Sequence, residues 1–189
     1  MIEADFADKD RVVDILANSF NDNKSVNYII QQDSKRIQRI KRLMEYSFEV
    51  CLSFGKVYMS DDKNACALLL LPDKKKTTLR SIWNDVKLMC IGIGIANLQK
   101  VLSREKKIRA LQPKQLIYYL WFIGVTPEGQ GKGIGSQLLK DVLADCSINE
   151  RIICLETSTI KNIPWYEKLG FKVYNQLDLG YQLFFLKKE

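Results

Sequence analysis

A glycine-rich turn between a strand-like segment and a helix-like segment most constrains how this chain can fold. The apolar run Ile117–Val125 leads into the turn, which spans residues 126–136. Helical spacing of apolar residues then extends from about Gly133 to Ala144, and a second apolar run covers Arg151–Ser158. Strand, turn, helix and strand in this order predict a β-α-β unit.

The remaining segments are predicted to be short helices and strands around this unit. The predicted helices are 8–20, 34–55, 77–112 with a break at Gly92-Ile93-Gly94, and a short helix from near Pro164 to Gly170. The predicted strands are 56–60 and 65–71, which form a hairpin, followed by 171–175 and 181–186. Because the 189 residues contain 47% hydrophobic residues, the sequence predicts one mixed α/β domain, 1–189.

Histidine is absent from the sequence, and its absence excludes whole classes of chemistry. Histidine-based catalytic triads and histidine metal clusters are impossible, so an enzyme would need carboxylate, tyrosine or water as acid and base. The net charge of +7 favours an anionic partner. The basic clusters Lys74–Lys76 and 104–109 are predicted to be solvated surface, with a phosphate-binding patch as the alternative.

The five cysteines predict a reduced protein without a metal site. They stand at positions 51, 66, 90, 146 and 154, mostly within apolar runs and without a C-x-x-C pair. The acidic start of the sequence lacks the pattern of a secretory signal, and the longest apolar stretch, 88–96, is too short to span a membrane. A cytoplasmic protein that binds neither membrane nor nucleic acid is therefore expected.

The glycine-rich turn has the position and composition of an anion-binding site. The N-terminus of a helix presents unpaired N–H groups, and glycine lets the backbone approach a phosphate closely. The Walker pattern requires Gly six residues before its lysine and Ser or Thr directly after it. Around Lys132 these places hold Thr126 and Gly133, so the pattern fails. The Rossmann pattern fails too, because no third glycine stands at the required place.

A third pattern, Q/R-x-x-G-x-G/A, is matched by Gln130, Gly133 and Gly135. Downstream, the segment Asn162–Phe171 contains a short predicted helix with Tyr166 and ends in Leu-Gly-Phe. In these two motifs, and in the β-α-β unit around them, the chain resembles the GNAT superfamily of N-acetyltransferases. The resemblance covers about residues 117–175. It implies a twisted, mostly antiparallel mixed sheet, splayed at the acetyl-CoA site and flanked by helices.

The resemblance also implies which residues hold acetyl-CoA, the co-substrate. Gln130 would begin the pyrophosphate site, and the N–H groups of the turn would complete it: Gly131, Lys132, Gly133, Ile134, Gly135 and Ser136. The backbone of the preceding strand would pair with the pantetheine arm through Ile123, Gly124 and Val125, with Gly124 suited to a strand bulge. An N–H near Ile123 would stabilise the oxyanion.

The implied catalytic residues are Tyr166 and Glu156. Tyr166 would act as the general acid for the leaving thiolate, with aromatic packing against its neighbours as the alternative. Glu156 would be the general base, with a carboxylate that points to solvent or bonds a neighbouring strand as the alternative. Thr159 replaces the asparagine that is common in the family seven residues before the tyrosine, so either Thr159 or Asn162 would contact CoA.

The function predicted is acetyl transfer from acetyl-CoA to a primary amine, on a small molecule, by direct attack and without a metal. The alternative is a CoA-binding or acyl-CoA-binding sensor without catalysis. Nucleic-acid binding has only the net charge in its favour, and the phosphates of CoA already account for that charge. Assembly as a homodimer is left open.

Overall fold

The computed structural model describes residues 1–76 and 97–189. The helices of this part are α1 (Lys9–Ser19), α2 (Lys24–Ile29), α3 (Arg36–Phe54), α4 (Leu98–Leu111), α5 (Ile134–Ile148) and α6 (Ile163–Lys168). The strands are β1 (Ile2–Glu3), β2 (Gly55–Met59), β3 (Ala65–Leu70), β4 (Ile117–Val125), β5 (Ile152–Thr157), β6 (Lys172–Asp178) and β7 (Gln182–Lys188). The predicted helix break at 92–94 and Cys90 lie outside the described residues.

The strands form one seven-stranded sheet in the order β1-β2-β3-β4-β5-β7-β6. Neighbouring strands are antiparallel except for β4 and β5, which are parallel because α5 connects them as a crossover helix. The mixed, mostly antiparallel sheet that the sequence predicted is therefore confirmed. Helix α5 ends at Ile148, four residues beyond the predicted end at Ala144.

The two parallel strands separate partway along their length. Strand β4 pairs with β5 only from Ile117 to Tyr119, and Tyr119 lies opposite Cys154. Beyond Tyr119, β4 continues to Val125 while it pairs with β3 on its other side. The second half of β4 therefore presents one backbone edge to an open wedge rather than to a strand.

A bulge in β4 lies at the start of this wedge. The register against β3 shifts between Leu68 and Leu69, which lie opposite Phe122 and Leu120 and leave Trp121 without an opposite residue. Trp121 and Phe122 consequently both face the α1–α3 side of the sheet. The expectation that Gly124 forms the bulge is wrong, because Gly124 pairs regularly with Cys66.

Gly124 is instead required by close packing of α1 on β4. A Cβ at this position would lie 2.9 Å from Ser19 Oγ and 3.0 Å from Leu16 Cδ2. Ser19 Oγ also donates a hydrogen bond of 3.1 Å to the Val125 carbonyl, which fixes the end of α1 beside the wedge.

The sheet separates two hydrophobic cores. Helices α1, α2 and α3 pack on one face, where Leu16, Phe48 and Phe122 are buried. Helices α5 and α6 pack on the other face, where Leu139 and Tyr166 are buried. Helix α4 covers the β7 end of the first face through a contact of Ile108 with Leu183 and Phe185.

Four cysteines, Cys51, Cys66, Cys146 and Cys154, are free and buried. Burial raises the pKa of the Cys146 thiol to about 11 and that of the other three still further. These thiols are therefore protonated core side chains at neutral pH, as the sequence predicted.

Gly124→Ala should destabilise the fold by roughly 1–3 kcal/mol, because a methyl group would overpack the contact between α1 and β4. Urea unfolding measures this loss. Ser19→Ala should cost less in the Gly124→Ala background than in the native background, because it removes the Oγ that the new methyl contacts. Additive costs in this double-mutant cycle would contradict the packing argument.

Candidate functional site

The N-terminus of α5 presents free backbone donors beside the wedge. Gly133 is the N-cap residue, and the first bond within the helix runs from the Gln137 N–H to the Gly133 carbonyl at 2.9 Å. The N–H groups of Ile134, Gly135 and Ser136 precede this bond and have no partner within the helix. Together with the positive end of the helix dipole they form an anion-binding cradle, which here means residues 130–136.

The glycines of the cradle serve two different purposes. Gly131 and Gly133 have φ values of +76° and +81°, and a Cβ on either residue would meet no atom within 4 Å. The left-handed backbone explains why glycine stands there, and the open space beside it can receive a ligand. A Cβ on Gly135 would lie 2.9 Å from Val125 Cγ2, so that glycine permits close packing of α5 on β4.

A cavity of about 1390 Å³ runs from the cradle through the wedge to α2 and α4. It exceeds the roughly 300–1,000 Å³ of ordinary ligand pockets, and therefore has room for two substrates. All but one of the predicted site residues line it: Ile123, Gly124, Val125, Gln130, Gly131, Gly133, Ile134, Gly135, Ser136, Glu156, Thr159, Asn162 and Tyr166. The exception is Lys132, which borders a separate shallow depression near Asp141.

Lys132 is also less available through its backbone than the sequence suggested. Its N–H lies 3.4 Å from the Gly129 carbonyl, to which it donates a long hydrogen bond. Its side chain is exposed. The N–H groups of the first turn of α5 are therefore more open to a ligand than the N–H of Lys132.

Tyr166 lies at the cavity wall on the α5–α6 face of the sheet. Its ring contacts Trp165 and Phe171, with ring centroids 4.6 Å and 5.5 Å away. The hydroxyl makes no hydrogen bond to any described residue, and burial raises the pKa of the phenol. Tyr166 is therefore a protonated, unpaired donor, held in place by its ring.

Trp165 links this helix to the cradle, because its Nε1 donates a hydrogen bond of 2.8 Å to Ser136 Oγ. The side chain of Asn162, one turn before Tyr166, makes no hydrogen bond within the described residues. Thr159 is used locally, since its carbonyl accepts from the Asn162 N–H at 2.9 Å. Both side chains line the cavity, and neither makes a hydrogen bond within the described residues.

Glu156 lies on the opposite face of the sheet from Tyr166. It pairs across the strands with Phe185, which packs against α4, and so it shares the α1–α4 side. Tyr119 donates a hydrogen bond of 2.5 Å to Glu156 Oε2. Burial raises the pKa of Glu156 to about 7, although hydrogen bonds from Tyr119 and Gln112 and the charge of Arg104 each oppose the rise.

Arg104 of α4 is a site residue that the sequence did not reveal. Its side chain is only 12% exposed and forms an ion pair with Glu105, so solvated surface was the wrong prediction for it. It also donates to Ser25 Oγ at 2.5 Å and to the Tyr181 hydroxyl at 3.2 Å. Arg104 therefore fastens α4 to α2 and to the β6–β7 turn, around the Glu156 side of the cavity.

Within residues 1–76 and 97–189, no three or more Cys, Asp and Glu side chains are grouped to hold a metal ion. Among the helices described there, none has the length and apolar character needed to cross a membrane.

Comparison with known proteins agrees with this geometry. Residues 90–173 match a family model described as an acetyltransferase (GNAT) domain. Histone acetyltransferase HPA2 and related acetyltransferase from Corynebacterium glutamicum is 19% identical, with a TM-score of 0.70 over 99% of this chain and 93% of that one. The C-terminal condensation domain of Ebony, in complex with beta-alanyl-dopamine, is 12% identical, with a TM-score of 0.73 over 100% and 97%.

Arabidopsis thaliana Naa50, in complex with the bisubstrate analogue CoA-Ac-MVNAL, is 14% identical and has a TM-score of 0.51 over 100% of this chain and 96% of that one. At these identities the solved structures establish the fold, and the family model covers the cradle and the Tyr166 motif. Residues 90–173 therefore match an acetyltransferase (GNAT) domain, and the chain as a whole has the fold that these solved structures share.

Proposed function

We propose that this protein moves the acetyl group of acetyl-CoA to the primary amine of a small molecule by direct attack. The observation that carries the proposal is the placement of Glu156 and Tyr166 on opposite faces of the sheet, both lining the cavity that passes through the wedge. A base on one side and an acid on the other suit a reaction in which the attacking amine gives up a proton and the departing thiolate takes one.

The cradle and the exposed edge of β4 fit acetyl-CoA, which supplies the acetyl group as a thioester. The open N–H groups of Ile134, Gly135 and Ser136 would bind the pyrophosphate, and the space beside Gly131 and Gly133 leaves room for it. The edge of β4 at Ile123–Val125 would pair with the amide-containing arm as an added strand. Gln130 and Asn162 also line the cavity.

Glu156 would accept the proton of the acceptor amine. A carboxyl with a pKa of about 7 is substantially ionised at neutral pH and is also a stronger base than an ordinary glutamate. Tyr119 positions it through the short hydrogen bond to Oε2. Tyr166, which remains protonated, would donate to the departing sulfur from the other face.

A small acceptor is favoured by the position of Glu156, which lines a cavity whose described walls include α1, α2 and α4. Protein N-termini and lysine side chains remain competing acceptors. A sensor that binds CoA without turnover is the second candidate. An assay of free thiol released from acetyl-CoA, run with a panel of amines, amino acids and peptides, distinguishes the two candidates. An acetyltransferase releases thiol with its acceptor, whereas a sensor releases none.

Gly133→Ala should weaken CoA binding about tenfold, because the methyl group enters the open space of the cradle and strains its backbone. Gly180→Ala is the matched control, since Gly180 has a φ of +83° and equally open surroundings but lies in the β6–β7 turn. Both variants should lose similar stability, roughly 1–2 kcal/mol. Calorimetric titration with CoA checks the affinity, and equal affinities for the two variants would remove the cradle from the site.

The pH dependence should report Glu156. Because a general base must be ionised, kcat/KM should rise with pH through about 7, the pKa of Glu156. Tyr119→Phe removes a hydrogen bond that lowers this pKa, so the rise should move to higher pH. Glu156→Gln should lower kcat by about 10²-fold and flatten the rise. The control Tyr58→Phe, on the opposite face, should leave the profile in place, whereas an unmoved profile in Tyr119→Phe would assign the base elsewhere.

Tyr166→Phe tests the general acid and the function as a whole. Since the hydroxyl has no hydrogen-bond partner among the described residues, its removal should leave CoA affinity and thermal stability unchanged while single-turnover acetyl transfer slows by about 10²-fold. Tyr174→Phe is the control, because its hydroxyl is likewise unpaired but lies outside the cavity lining. Native turnover in Tyr166→Phe would leave Tyr166 with a packing role only.

A further inference from the structure

Two cations, Lys75 and Arg109, line the end of the cavity that lies away from the cradle. Lys75 follows β3, whose residue Leu70 lies opposite Tyr119 near the start of β4, and Arg109 lies in the last turn of α4. The cradle follows the other end of β4. We call Lys75 and Arg109 the basic pair.

The basic pair is not neutralised by the carboxylates around it. Within the described residues neither side chain forms an ion pair, and both are exposed. Glu105, on the same side of the cavity, is engaged by Arg104. Glu156 is only partly ionised at neutral pH, because burial raises its pKa to about 7. Among the described lining residues, Lys24, Lys75, Arg104, Arg109 and Lys161 outnumber Asp22, Glu105 and Glu156, so the cavity carries excess positive charge before a substrate enters.

Arg109 lies near the residue proposed as the base. The Gln112 N–H donates to the Arg109 carbonyl at 3.4 Å, and the Gln112 side chain is close enough to Glu156 to lower the pKa of that carboxyl. One helical turn thus separates Arg109 from a residue close to Glu156. A short molecule can place an amine at Glu156 and a second group beside Lys75 and Arg109.

Resting on the proposed function, we propose that the acceptor is a primary amine that carries an anionic group, a carboxylate or a phosphate, bound by Lys75 and Arg109. Opposite charges at contact distance attract, and a second ammonium at the same place would be repelled. Diamines, polyamines and aminoglycosides are consequently disfavoured. The positive end of the cavity selects among amines, whereas the cradle at the other end serves the phosphates of CoA.

The test compares compounds of one length that differ in the group remote from the amine. The CoA-loaded protein is titrated in a calorimeter with 4-aminobutyrate, 4-aminobutanamide and putrescine, and again with the corresponding six-carbon compounds. The acid should bind at least tenfold more tightly than the amide in one of the two series, and the diamine should bind most weakly. A further titration with 3-aminopropylphosphonate shows whether the basic pair binds a phosphate-like group more tightly than a carboxylate.

Substitutions show which residues cause the preference for the acid over the amide. Lys75→Gln combined with Arg109→Gln should abolish the preference for the acid over the amide. The matched control, Lys76→Gln combined with Lys107→Gln, removes the same charge from neighbouring exposed positions outside the cavity lining and should keep the preference. Equal binding of acid and amide, tighter binding of the diamine, no binding of any compound, or the same loss in both double variants would each overturn the proposal.

Turnover of the same compounds separates this inference from the function on which it rests. Acetylation of the amide and the diamine as efficiently as of the acid would overturn the anionic preference and leave acetyl transfer intact. Absence of acetylation of every amine, with the binding order preserved, would support the basic pair as an anion site and contradict the proposed function.

Discussion

The site depends on the point at which β4 and β5 stop pairing. Three residue pairs, from Ile117 with Ile152 to Tyr119 with Cys154, hold the strands together, and the bulge at Trp121 marks where β4 diverges. Unpaired backbone groups in a protein interior are costly, so the open edge of β4 is a place where an added strand is stabilised. Cradle, cavity and proposed acid and base all lie along that edge.

The sheet also separates the proposed chemical roles. On the α5–α6 face, burial raises the pKa of the Tyr166 phenol, which therefore remains neutral. On the α1–α4 face, burial raises the pKa of Glu156 to about 7, while Tyr119, Gln112 and the charge of Arg104 oppose that rise. Because the wedge passes through the sheet, each environment can be tuned on its own face and still contact the same cavity.

The features that the sequence predicted correctly are determined by residues close together in the chain. The bounds of β4 were predicted because a continuous apolar run ends in Thr126-Pro127, and the turn before α5 was predicted because closely spaced glycines follow that run. Long-range features were missed. No local pattern distinguishes Trp121 as a bulge residue. The sequence placed Arg104 in a solvated cluster, but its side chain is bonded to Ser25 and Tyr181, which are 79 and 77 residues away in the chain. The contact of Tyr119 with Glu156 spans 37 residues.

The central claim is that acetyl-CoA binds along the open edge of β4 with its phosphates at the N-terminus of α5. Amide hydrogen exchange with and without CoA measures this residue by residue. Slowed exchange should be confined to residues 120–125 and 130–136 and to neighbours that line the cavity, with no change at Ile117 and Tyr118, which pair with β5 and lie outside the lining. Saturating CoA that leaves exchange at Ile134–Ser136 and along the second half of β4 unchanged would contradict the account.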